Sequence, residues 1–199
     1  DINTPAFGDY KLGDRFQRHN FPMGIMVNAE GKRFVDEGSG IQSYIYSRAG
    51  DWIIKQPGNF AYQVFDAHVT DMLRDEYKVK EASKVTANTI EELALKLEGV
   101  NAEQFIQTVR EFNAAVDTSK EFDPNGLDGR GTQGLDIPKS NWANPLDKPP
   151  FVAYGVTAGI TFTFGGLRVD TNAQVQSTTG APIPGLYAVG QNGLGGMVL

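Results

Sequence analysis

The chain has 199 residues, a net charge of −6, 40% hydrophobic and 21% charged residues, and no cysteine. That length suits one sizeable domain or two small ones of ordinary globular composition. Without a lysine/arginine cluster it offers no nucleic-acid or anionic-membrane surface, and without cysteine it forms no disulfide, thiolate nucleophile or zinc–thiolate site.

No apolar run has the length of a membrane span, and the N-terminus lacks a signal-peptide pattern. The expected location is the cytoplasm, with the true N-terminus outside this chain. His19 and His68 lack ligand spacing, so no metal site is expected, and His19 reads as an exposed loop residue.

Residues 1–23 are polar and turn-rich. Gly24–Asn28 and Lys32–Val35 read as two short strands around an Ala29-Glu30-Gly31 turn, a hairpin closed by Asp36-Glu37-Gly38. The spacing of Ile41, Tyr44, Ile45, Trp52 and Ile53 predicts a helix over about 42–55, stopped by Pro57-Gly58. Asn59–Asp66 alternates and is rich in aromatic and β-branched residues, so it reads as a strand. Val69, Met72 and Leu73 suggest a short helix.

Thr89 and Glu92 form a capping-box pattern ahead of Ile90, Leu93, Ala94 and Leu97, and Gly99 stands where a helix stops. Asn101 caps a second amphipathic helix carrying Phe105, Ile106, Val109, Phe112 and Val116. The pair predicts an antiparallel helical hairpin. From Lys120 to Pro150 periodicity gives way to prolines and glycines, a long ordered loop or an inter-domain linker anchored by Trp142 and Leu146. The remainder is β-rich. Ile160–Phe164 ends in Gly165-Gly166. Leu167, Val169 and Val175 flank an Asp-Thr-Asn turn, and Pro184-Gly185 opens a strand that runs into Gly190 and a glycine-rich end. The fold class is α+β. The apolar ending directly after a glycine loop reads as a cut through a larger protein.

Taken singly, these motifs carry little chemistry. There is no GxGxxG after a strand, no phosphate-binding loop of the Walker type and no Ser-His-Asp order. Together they are specific. GIMVNAEGKRFVDEG, NFAYQVFD, FTFGGLRVDTNAQV and IPGLYAVGQ occur in the order and approximate spacing of the fumarate reductase/succinate dehydrogenase flavoprotein superfamily. The chain resembles that family over nearly its whole length. Its middle, with EGSGIQSYIYSRAG, KQPGNFAYQVFDA, DPNGLDGRGT and PKSNWANPLDKPPF, resembles the tricarballylate dehydrogenase-like branch.

The resemblance implies an FAD-binding domain into which a mobile α+β capping domain is inserted. It assigns residues 1–23 to a segment leaving the flavin domain, 24–150 to the cap, and 151–199 to the return into a truncated FAD-binding domain. The hinge is expected near 22–24 and 148–152. The partners implied are the rest of the FAD-binding domain and a small organic acid or ketone. The activity implied for the whole protein is FAD-dependent oxidation or reduction of a C–C bond beside a carboxylate or carbonyl, of fumarate or tricarballylate type. This fragment alone is expected to be inactive and to lack flavin.

Where the family places the cofactor stand Gly165, Gly166, Gly190 and Gln191; the last replaces the usual Glu. Thr161 and Phe162 replace a His pair and are expected at the substrate, with Gln42 where the tricarballylate branch has Arg. Tyr44, Tyr46 and Arg48 are the proton-transfer candidates. Two tyrosines two apart on a helix point in different directions, so at most one faces a given pocket. The lost charges imply a drier, more aromatic site and keep open a 3-oxosteroid dehydrogenase-type activity. A non-catalytic binding or structural module is the reading of a different class.

Overall fold

Alternation along Asn59–Asp66 sends Tyr62 and Val64 to one face and Ala61, Gln63 and Phe65 to the other. This segment becomes an interior strand of a four-stranded antiparallel sheet. In chain order the strands are β1 (Ile25–Val27), β2 (Phe60–Phe65), β3 (Lys84–Ala87) and β4 (Phe151–Thr157), arranged β1-β2-β4-β3. Register runs Ile25 opposite Val64, Phe65 opposite Val152, and Ala87 opposite Phe151. The computed structural model describes residues 17–80, 82–159 and 165–190.

Both sheet faces are covered, which is why β2 and β4 are almost wholly buried. Helices α2 (Ile90–Lys96) and α3 (Ala102–Ala115) form the expected hairpin on one face. There Leu93, Phe105, Val109 and Phe112 pack against Ile25, Tyr62, Val64 and Ala153. The other face carries helix α1 (Gln42–Ile54), whose Ile45 and Ile53 meet Phe21, Met26, Ala61 and Val156. At the opposite end of that face Phe65, Val69, Leu73, Tyr77, Val152 and Tyr154 form a third cluster.

The helix caps form as the sequence predicts. Thr89 Oγ1 accepts from the Glu92 N–H at 3.1 Å, and Glu92 reaches back to the Asn88 N–H. Asn101 Oδ1 accepts from the Gln104 N–H. Between Thr70 and Tyr77 the expected short helix appears as two 3-10 turns.

One expectation changes. Lys32–Val35 does not extend a hairpin; Val27 and Arg33 share a single bridge. The Ala29-Glu30-Gly31 turn docks on α3 instead, with Thr108 Oγ1 donating to Gly31 O and the Asn101 N–H donating to Ala29 O. A Cβ on Gly31, at φ +77, would lie 2.6 Å from Asn101 O and Phe105 N, so this contact needs glycine. Arg33 turns inward to pair with the buried Glu37 at 2.6 Å and to donate to Ile137 O.

The stretch from Lys120 to Pro150 is a cross-braced part of the domain. Asp128 accepts from the N–H groups of Arg130 and Trp142, Asn141 bonds to Gly129 and Gly38, and Arg130 donates to Lys120 O and Ala143 O. Trp142 and Leu146 are buried, as their anchoring role requires.

The chain divides into two compact units at Ala158/Gly159. Strand β4 is bonded on both sides within the sheet, and the Asp66 carboxylate accepts from the N–H groups of Asp147 and Lys148. A hinge at 148–152 would break those bonds. Pro22 and Gly24 are equally fixed, because Lys139 Nζ donates to both of their carbonyl oxygens.

The second unit contains β5 (Gln174–Gln176) paired with β6 (Pro182–Tyr187). Asp170 turns the chain into it by accepting from the N–H groups of Asn172 and Gln174, and Val169 bridges Val175.

Candidate functional site

Helix α1 has no side-chain N-cap, since Ile41 precedes it. Gln42 is the first residue of the helix, and its Oε1 accepts from Arg74 Nη2 at 3.1 Å. Arg74 sits on the 3-10 turn before Tyr77, and its own N–H donates to Asn20 Oδ1 at 3.0 Å. One turn along α1, the Tyr46 ring lies 5.1 Å from the His19 ring, centroid to centroid. Thus the segment before β1, the start of α1 and the 74–77 turn bring Gln42, Tyr46, His19 and Arg74 together.

His19 is half-buried rather than a loop residue in solvent. Burial and, after it, the neighbouring Arg74 charge hold its imidazole below the ordinary histidine value, with Glu76 opposing. A neutral imidazole beside a guanidinium can accept or relay a proton, while the guanidinium offers two parallel donors to a carboxylate. Sequence reasoning passed over both residues. Arg74 lies outside every motif, and only the tertiary fold carries it to Gln42.

The other candidates fall elsewhere. Tyr44 is 61% exposed and Arg48 is exposed, both on the outer flank of α1 and turned away from Tyr46. Thr161, Phe162 and Gln191 lie outside the described residues. Gly165, Gly166 and Gly190 belong to the second unit. Gly165 stands at φ +140 and Gly190 at φ +65, and among the described residues no atom lies within 4 Å of where a Cβ would stand on either. Backbone at such φ values is restricted to glycine.

One further group of potential ligands exists among the described residues. His68 Nε2 is 2.9 Å from Asp147 Oδ1 and 3.9 Å from Asp66 Oδ2. The Asp66 carboxylate is already engaged by the N–H groups of His68, Asp147 and Lys148. It acts as a clamp between the end of β2 and the approach to β4.

A family model described as FAD binding domain matches residues 11–198. The chain is 31% identical over 169 residues to a fumarate reductase (cytochrome) of Shewanella frigidimarina, covering 84% of this chain and 26% of that protein. It is 33% identical over 201 residues to the 4-oxocyclohex-2-ene-1-carboxylate 5-dehydrogenase of Sinomonas cyclohexanicum, covering 92% of this chain and 33% of that protein. Among solved structures, the open conformation of a flavocytochrome c3 fumarate reductase is similar at a TM-score of 0.59 and 26% identity, over 85% of this chain and 27% of that one. The chain thus spans about a quarter to a third of the length of these relatives.

Proposed function

This chain belongs to the FAD-binding domain family, within the fumarate reductase/succinate dehydrogenase superfamily, and from that premise we propose that its first unit is the capping part of an FAD-dependent oxidoreductase acting on a C–C bond beside a carboxylate or carbonyl. FAD is the family's cofactor, and when bound it supplies the two-electron redox chemistry. Gly165 and Gly190 hold positive φ values that favour glycine, and a backbone without a side chain fits close approach of such a group.

The observation that carries the reading is the convergence of Gln42, Arg74, His19 and Tyr46 on one edge of the cap. Arg74 binds the carboxylate or carbonyl oxygen of the substrate through its guanidinium, and the Gln42 carbonyl oxygen holds that guanidinium in place. The same contact polarises the substrate and acidifies its neighbouring C–H. The Tyr46 hydroxyl is the proton-transfer atom, with the His19 imidazole beside it as relay. Tyr44 and Arg48, exposed on the other flank of the helix, are left to contact the substrate body. Motion of the cap about the junction at 158–159 gates access.

Arg74 replaces part of the positive charge that the sequence otherwise lacks, which favours an acid substrate. The ketone reading rests on a different observation: Ile41 and Tyr44 expose apolar surface at the start of α1, which suits a cyclic or steroid ketone.

The test is turnover of the full-length protein with an artificial electron acceptor on fumarate, tricarballylate, 4-oxocyclohexanecarboxylate and a 3-oxosteroid. Arg74→Ala raises KM for the acids by roughly 10- to 100-fold, the range for losing a charged hydrogen bond. Tyr46→Phe lowers kcat. An Arg74→Ala enzyme with unchanged KM for every acid would falsify the assignment of Arg74.

A further inference from the structure

Position 63 breaks the apolar pattern of its face. Ala61 and Phe65 flank it on β2, Met26 and Tyr154 oppose and adjoin it, and all of these are buried. Yet residue 63 is Gln, 2% exposed, between two apolar clusters. A buried amide in such a layer is costly unless each polar group is bonded. Here they are. Gln63 Nε2 donates to Arg18 O at 2.9 Å, and Gln63 Oε1 accepts from the Tyr77 hydroxyl at 2.6 Å. That hydroxyl in turn accepts from the Asn20 N–H at 2.8 Å, and Asn20 Oδ1 accepts from the Arg74 N–H. Tyr77 is fully buried, its ring edge-on to Phe65 and Tyr154 at 5.7 and 4.9 Å. The Arg18 guanidinium lies over the same two tyrosines.

The bonds form one line from the middle of the sheet to the rim. They fix residues 18–20, which carry His19, against residues 74–77, which carry Arg74. We infer that Gln63, Tyr77 and Asn20 are positioning residues that set the separation of Arg74 from His19 at the substrate's polar end, an inference that rests on the reading of Arg74 given above. None of the three touches the substrate. A hydrophobic residue at 63 would pack as well but would leave both flanking segments to find their own places.

A double-mutant cycle on the full-length flavoprotein tests this, with fumarate and 4-oxocyclohexanecarboxylate as probes and KM and kcat measured separately. Arg74→Ala raises KM roughly 10-fold or more, and Tyr77→Phe raises it roughly 3- to 10-fold. In the Arg74→Ala background Tyr77→Phe adds less than about twofold, because its effect passes through Arg74. Flavin content per protein stays constant. If the two effects multiply instead, or Tyr77→Phe leaves KM unchanged while Arg74→Ala raises it, the positioning role is overturned and the reading of Arg74 survives. If Arg74→Ala changes KM for neither probe, both fall together. Should Tyr77→Phe lose its flavin, Asn20→Ala decides by the same criterion, since it removes only the acceptor of the Arg74 N–H from a half-buried position.

Discussion

Lys139 shows how much one side chain can settle. It is 1% exposed, and its ammonium donates to Pro22 O at 2.6 Å and Gly24 O at 2.9 Å. Both acceptors lie just before β1, where the chain passes so close to β2 that a Cβ on Gly24 would stand 2.2 Å from Val64 O. Burial pulls the Lys139 pKa down from 10.5 to about 8, against the pull of Glu37 the other way. Between those two values the unfolded chain keeps a proton that the native protein has lost, so stability rises with pH across that window. Lys139→Met strands two buried carbonyls, and we expect a loss of about 1–3 kcal/mol at pH 7. Urea denaturation of both proteins at pH 7 and at about 9.5 checks this. The gap widens at the higher pH if the linkage holds, and parallel behaviour of the two proteins would count against it.

At the scale of elements, the helix starts are of two kinds. Helices α2 and α3 open on side-chain caps that are local in sequence, Thr89 to Glu92 and Asn101 to Gln104. Helix α1 opens on Ile41 with no such bond and is held by Ile45 and Ile53 against the sheet. Asn101→Ala therefore costs about 1 kcal/mol, while Asn101→Gly recovers most of it, because glycine tolerates the cap geometry. The thermal midpoints of the two variants measure the difference, and equal losses for both would argue that the cap bond contributes nothing. Local signals made both caps, the stop at Gly99 and the buried face of α3 legible in advance. The hairpin expected around Ala29–Gly31 failed for the converse reason. Its second strand had a nonlocal competitor, the start of α3, which takes the turn while Arg33 goes to Glu37.

For the whole molecule, the first unit contains its own sheet, both covering layers and three apolar clusters. Expressed as residues 17–158 it should unfold in one cooperative step and carry no flavin, because the glycines suited to the cofactor lie in the second unit. A broad melt with exposed apolar surface, reported by dye binding, would show that it depends on the missing parts. The second unit has the opposite character. Leu167, Ile183, Leu186, Tyr187 and Val189 are exposed there, more apolar surface than a short hairpin keeps in water. The remainder of an FAD-binding domain is the cover we propose for it. No helix among the described residues is long and apolar enough to cross a membrane.

The sequence by itself determined the α+β class, the capped helical hairpin, the strand within Asn59–Asp66 and, through motifs in order, the flavoprotein family. Each of these rests on spacing within a short window or on linear order, which a chain displays before it folds. It named Gln42 and Tyr46 but could not separate Tyr46 from Tyr44 in their surroundings, and it gave no weight to Arg74, His19, Gln63 or Tyr77. Arg74 bonds to Gln42 and Asn20, Gln63 bonds to Tyr77 and Arg18, and His19 meets the Tyr46 ring, contacts that exist only once the sheet has brought residues 18–20, 42–46 and 74–77 to one edge. Strand β4 is decided the same way: it looks like the start of a new region along the chain, but its hydrogen bonds run to β2 and β3.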